Sequence, residues 1–101
     1  MDKEKVLSIL GLAARARKIT AGESQSLVQI KSNNAKLVFL ASDTLFNTTK
    51  RITDKTKYYQ VRLITDLDSL EMSKAIGREN IKVITITDEN FSKLIEAHLD
   101  K

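Results

Sequence analysis

Leu37-Val38-Phe39-Leu40-Ala41 is an unbroken apolar run between Lys36 and Ser42. A strand with one wet face alternates apolar and polar residues, so an unbroken run requires cover on both faces. Two further runs read as strands: Val61-Arg62-Leu63-Ile64, and the β-branched stretch from Ile81 to Thr87. The chain that supplies the cover lies between and around these runs, where apolar residues recur at helical spacing.

Asp2 is placed to cap a first helix, in which Val6, Ile9, Leu10, Ala13 and Ala14 form one face and Gly11 interrupts without ending it. Ile19–Thr20 is either a short edge strand or a loop. Thr20-Ala21-Gly22-Glu23 has the form of a capping box, a hydroxyl at the cap and a carboxylate three residues on. It predicts a helix over about 22–32 with Leu27 and Ile30 on one face. Asn33-Asn34 breaks that helix. Ser42, Asp43 and Thr44 can cap a third helix over about 44–57, with Leu45 and Ile52 turned inward. A fourth spans about 66–76, followed by Gly77 in the left-handed conformation that suits a helix end. Asp88 caps a last helix with Phe91, Leu94, Ile95, His98 and Leu99 on one face.

Strands separated by helices must cross over, and right-handed crossovers place helices on both sheet faces. The expected fold is therefore α/β, a three-layer α/β/α sandwich with a small mixed sheet of three to four strands. A single domain over 1–101 is expected. With 42% hydrophobic and 30% charged residues, the chain has the balance of a globular protein. No apolar run approaches the roughly 18 residues of a membrane span. The N-terminal stretch is charged and amphipathic, where a secretory signal needs an uninterrupted apolar region. No membrane association and a cytoplasmic location are expected.

Cysteine is absent, which excludes disulfides, thiolate metal sites and cysteine nucleophiles. No glycine-rich dinucleotide or phosphate loop follows a strand, and no Gly-x-Ser-x-Gly elbow is present. The single histidine, His98, lies on the apolar face of the last helix and reads as a packed or edge residue. Asp43 follows a buried strand, as the acceptor of a phosphorelay receiver does, but the acidic pair such a site needs is missing. Asp43 reads instead as a helix cap or loop anchor. Neither an enzyme, a cofactor, a metal nor a small-molecule substrate is expected.

Charge points elsewhere. Residues 1–65 carry 12 basic and 5 acidic side chains, and residues 66–101 carry 5 and 8. One basic half suits a polyanion. Gly22 opens the backbone at a helix start, where unpaired N–H groups and the positive dipole end favour phosphates and nucleobase edges. Glu23, Ser24 and Gln25 add polar tips there. Arg17 and Lys18 precede this start, and Lys31 lies farther along the helix. Gly77-Arg78-Glu79-Asn80 is a loop between helix and strand that can lie beside it.

The fragments GLAARARKITAGES, AKLVFLASD, AIGREN and VITITD, in this order and spacing, resemble bacterial YlxQ-type members of the kink-turn-binding ribosomal protein superfamily, the L7Ae/L30e group. The resemblance runs from about Val6 to Phe91. It implies an α/β/α sandwich that binds RNA kink-turns, sharp bends flanked by tandem sheared G·A pairs, in ribosomal or regulatory RNA. It implies that Gly22 permits close approach and that Ser24 and Gln25 occupy base-reading positions. It also implies that Gly77, Arg78, Glu79 and Asn80 cover a bulged nucleotide, and that Asp43 lies beside the RNA face. Such a protein would act as a monomer within a ribonucleoprotein. The chain departs from the family pattern at Val28, where relatives usually carry lysine, at Ser24-Gln25, where many carry Asn-Glu or Lys-Gln, and at Met72-Ser73, where Leu-Gly is common. The competing expectation is a protein-interaction module of an RNA-associated complex, for which an exposed apolar patch would speak.

Overall fold

The computed structural model describes residues 1–100. In chain order its elements are α1 (Lys3–Arg15), β1 (Ile19–Ala21), α2 (Glu23–Lys31), β2 (Leu37–Leu40), α3 (Phe46–Tyr58), β3 (Leu63–Ile64), α4 (Ser69–Ala75), β4 (Val83–Ile86) and α5 (Glu89–Glu96). The sheet order is β1-β4-β2-β3. β2 and β3 are parallel, while β4 lies between β1 and β2 and runs antiparallel to both.

Every residue of β2 and of β4 is buried. Their side chains alternate between two cores, as the pleat requires. Leu37, Phe39, Ile84 and Ile86 enter one core with Val6 and Leu10 of α1, Met72 of α4 and Ile95 of α5. Val38, Leu40 and Val83 enter the other with Ile30 of α2 and Ile52 of α3. This is the three-layer α/β/α sandwich with a mixed four-stranded sheet that the apolar runs require. Ile19-Thr20 belongs to a true edge strand, in register with Ile86 and Thr85.

Several local expectations are corrected. Thr20 does not cap α2, because pairing with β4 keeps the chain extended through Ala21. Gly22 is the N-cap and no side chain caps the helix. The Thr20 hydroxyl instead accepts from Gln29 Nε2 at 3.3 Å. Neither Ser42, Asp43 nor Thr44 caps α3, whose N-cap is Leu45 in an extended conformation. Leu45 is therefore outside the helix and 81% exposed rather than turned inward with Ile52. Leu94 is also exposed, since Ser92 and Ile95 set the buried face of α5. The fourth helix starts later than the periodicity indicates. Asp68 and Glu71 form a reciprocal capping box that fixes its start at Ser69. The last strand is shorter at its start because the Ile81 N–H donates to Ser73 Oγ at 2.8 Å rather than to a neighbouring strand. Gly77 follows α4 with φ 70°, as expected, and the Arg78 N–H closes the helix end on the Ser73 carbonyl at 2.9 Å. The His98 carbonyl accepts from the Asp2 N–H at 2.8 Å, joining the end of α5 to the start of α1.

Gly11 has a packing role. A Cβ built there would lie 2.8 Å from the Ala75 carbonyl oxygen, so α1 and α4 cross through backbone contact. Gly11→Ala improves intrinsic helix propensity by up to about 1 kcal/mol. It also forces the helices apart, and overpacking of this kind costs about 1–3 kcal/mol. Net destabilisation of up to about 2 kcal/mol is expected, read as a lower urea midpoint with an unchanged slope.

Candidate nucleic-acid interface

The reversed direction of β4 brings the ends of β1, β2 and β3 to the edge where β4 begins. The Gly22 N–H donates to the Val83 carbonyl at 2.9 Å, and the Ala41 N–H donates to the Lys82 carbonyl at 2.8 Å. These bonds gather the start of α2, the segment after β2, and the stretch from Gly77 into β4.

Gly22 has φ 103°, a conformation that L side chains rarely adopt, and no atom lies within 4 Å of where its Cβ would be. The backbone at the helix start is therefore open to close approach. Asp2, Asp68 and Asp88 cap α1, α4 and α5. The starts of α2 and α3, both at this edge, have no side-chain cap. The first turn of α2 thus keeps N–H groups and a positive dipole end for an external acceptor. Ser24 and Gln25 are exposed beside it.

Glu23 is differently employed. It accepts from Thr48 Oγ1 at 2.8 Å and pairs with the Arg51 guanidinium. Both donors, Thr48 first, hold its carboxyl below the usual carboxylate range. Glu23 fastens α2 to α3, and Arg51 lends no free charge here.

Gly77, Arg78, Glu79 and Asn80 are all exposed. Asn80 has φ 56°, a left-handed conformation that asparagine tolerates. Arg78, Glu79 and Asn80 line a depression of about 420 Å³ together with Ser69, Leu70, Ser73 and Lys74. Arg78 has no ion-pair partner among the described residues.

Asp43 is a loop anchor. Its carboxylate accepts from the Ser69 hydroxyl at 2.5 Å and from the Ser69 N–H at 2.8 Å, and Lys82 Nζ lies 3.6 Å away. The contact ties the β2–α3 segment to the start of α4. Lys82 also donates to Ser69 Oγ at 3.3 Å.

Gly22, Ser24, Gln25, Asp43 and the Gly77–Asn80 loop therefore share one end of the sheet. Arg17, Lys18 and Lys31 do not. The Lys18 carbonyl accepts from the Thr87 N–H at 3.0 Å, at the far end of β4. Four residues of extended chain place Lys18 roughly 13 Å from Gly22. Lys31 closes α2, and nine helical residues carry it about 13 Å from the same point. Near the Asp43–Ser69 contact the sequence leaves Leu45, Phe46 and Leu70 at least 75% exposed. Thr48, Arg51, Ser69 and Lys82 escape sequence reading, because their roles arise only from packing between helices and loops distant in sequence.

Fold and site define a small α/β/α sandwich with two uncapped helix starts and a polar loop gathered at one sheet edge. Residues 4–96 match the model of the ribosomal protein L7Ae/L30e/S12e/Gadd45 family, and the chain belongs to that family. It is 38% identical over 92 residues to the RNA-binding protein YlxQ of Bacillus subtilis, covering 91% of this chain and 92% of the relative. It is 36% identical over 92 residues to the RNA-binding protein YlxQ of Enterococcus faecium, covering 91% and 88%. Among solved structures, a protein with unknown function from Bacillus halodurans C superposes with a TM-score of 0.91 at 36% identity, covering 96% of this chain and 98% of that one. The Giardia lamblia 15.5kD RNA binding protein shares the fold at a TM-score of 0.82 and 15% identity, covering 93% and 81%.

The Ser69 donors hold the Asp43 carboxyl down at about 2, from an ordinary 3.8. A depressed carboxylate stabilises the fold fully above its unfolded value, and that contribution is lost as pH falls from about 4 to about 2. A carboxyl-carbon NMR titration is expected to show this midpoint. Asp43→Asn is expected to make stability fall less steeply across that window and to speed amide exchange at Ser69.

Proposed function

We propose that this protein binds structured RNA and holds it in a kink-turn, in a ribosomal or regulatory RNA. The observation that carries this reading is the meeting of the uncapped α2 start at Gly22 with the Gly77–Asn80 loop across the Gly22–Val83 bond. The open N–H groups and the tips of Ser24 and Gln25 suit the edges of guanines in a widened groove. The Gly77–Asn80 loop, beside its depression, suits an unstacked nucleotide, the usual target of sequence-selective RNA contacts. Binding selects the bent form from an ensemble of straight and kinked RNA, so its shape carries the specificity. The names of the Bacillus subtilis and Enterococcus faecium relatives support an RNA partner.

A second reading has one observation of its own. Leu45, Phe46 and Leu70, exposed around the Asp43–Ser69 contact, would suit a docked protein. The two readings part on kink dependence.

Val28 is 65% exposed on α2, where a lysine would meet no packing obstacle. A charge-assisted contact is worth about 1.5–3 kcal/mol, so Val28→Lys is expected to tighten kink-turn binding about tenfold or more. The test is a fluorescence titration of labelled kink-turn RNA beside the same duplex without its bulge, at two salt concentrations. Kink-dependent binding with a log–log salt slope of about −2 to −4, for three or four phosphate contacts, is expected. Equal weak binding to both RNAs, unmoved by Val28→Lys, would overturn the kink-turn reading.

A further inference from the structure

Lys18 and Lys36 stand on either side of Thr87 at the sheet end remote from Gly22. The Thr87 N–H donates to the Lys18 carbonyl at 3.0 Å, and the Lys36 N–H donates to the Ile86 carbonyl at 2.8 Å. Both continue the registers of β1 and β2 with β4 by one row. Two inter-strand intervals, about 10 Å, separate the two lysine backbones. The helices of the adjoining layer end here too. Gln29 of α2 bonds Thr20, two residues from Lys18, and Lys31 follows Gln29 by two residues. Lys57 lies in the last turn of α3, and Arg17 directly precedes Lys18. All five cations are exposed, and none has an ion-pair partner among the described residues.

The neighbouring acids are occupied. Asp88 caps α5 through the Phe91 N–H at 3.0 Å, and Glu89 lies 3.7 Å from Lys93. Helix-end electrostatics accounts for Lys31 and Lys57, which face the negative ends of their helices. It also bears on Arg17 and Lys18, which follow Ala16, the C-cap of α1, and whose N–H groups close that helix end on the Ala14 and Ala13 carbonyls at 3.1 and 2.9 Å. It does not account for Lys36, which directly precedes β2, and Arg17 keeps its charged side chain at φ 60°, where glycine would avoid the backbone cost.

We propose that this pole is a second RNA-contact surface, on which Arg17, Lys18, Lys31, Lys36 and Lys57 grip the phosphate backbone of a duplex segment distinct from the one held at Gly22. The identity of the partner rests on the RNA reading above; the surface itself rests on the cation cluster. A nucleic-acid duplex carries a charge about every 1.7 Å along its axis, so cations about 10 Å apart meet phosphates in any register. Such contacts add affinity and salt sensitivity without reading bases. The far pole thus secures a second segment, while the near pole selects shape.

The test compares the intact protein with the double variants Lys18→Glu/Lys36→Glu and Ser24→Ala/Gln25→Ala, on plain RNA duplex and on kink-turn RNA across a salt series. The far-pole variant is expected to lose about tenfold or more in plain-duplex affinity, with a salt slope about 2 smaller in magnitude. Its preference for kink-turn over plain duplex should stay within about twofold of the unaltered protein. The near-pole variant should lose that preference and keep its plain-duplex affinity. Plain-duplex affinity and slope unchanged by Lys18→Glu/Lys36→Glu would overturn the second surface, as would absence of duplex binding by the unaltered protein. If the unaltered protein shows no kink preference and the far-pole variant still weakens duplex binding, the kink-turn reading falls and the second surface stands. Thermal unfolding and Lys18→Gln/Lys36→Gln, with an intermediate loss, separate charge from any loss of fold.

Discussion

The insertion of β4 between β1 and β2, against the direction of both, governs where the rest of the chain lies. Had β4 run parallel to β2, the chain after Gly77 would have had to start it at the opposite end of the sheet. In its observed direction, the Gly22–Val83 and Ala41–Lys82 hydrogen bonds bring that loop to the end where α2 and α3 begin. The burial of all four β4 residues secures this order, since both cores contribute to it. A shift of one residue in register would move Ile84 and Ile86 into the wrong core and Thr85 into the other.

The acids near the candidate interface maintain its frame. Glu23 joins the first turn of α2 to α3, and Asp43 joins the β2–α3 segment to α4. Each carboxylate is satisfied by neighbouring donors, so it is held ionised and internally committed. In the proposed RNA complex, their negative charge is therefore partly answered within the protein before any phosphate approaches. The positive contribution at this edge comes chiefly from backbone N–H groups, with Arg78 and Lys74 exposed close by. The side-chain cations cluster more densely at the other end.

Much of the architecture is legible in the sequence. The unbroken apolar run at Leu37–Ala41 demands two covering layers, and the aspartates at Asp2 and Asp88 mark helix starts. The two glycines whose conformations matter at the site, Gly22 and Gly77, also stand out. Other features depend on pairing across long sequence separations. Thr20 looks like a cap until β1 pairs with β4 and extends the strand through Ala21. Leu45 fits the phase of Ile52 until the chain turns one residue before α3. Arg17 and Lys18 lie close to Gly22 in sequence, but an extended strand carries them away from it, and the length of α2 does the same for Lys31. Proximity in sequence becomes separation in space wherever a regular element intervenes.

The backbone contact between Gly11 and Ala75 bears on how this scaffold can diversify. It seats the end of α4, and hence the departure point of the Gly77–Asn80 loop, without depending on any side-chain rotamer. Arg78, Glu79 and Asn80 are exposed beyond that seat. Substitution at Arg78 and Glu79 can alter what the loop touches while its anchorage stays the same, whereas Asn80, at φ 56°, is held to residues that tolerate a left-handed backbone. Mutational drift can therefore explore new ligands at the tip, whereas Gly11 itself has almost no neutral alternatives.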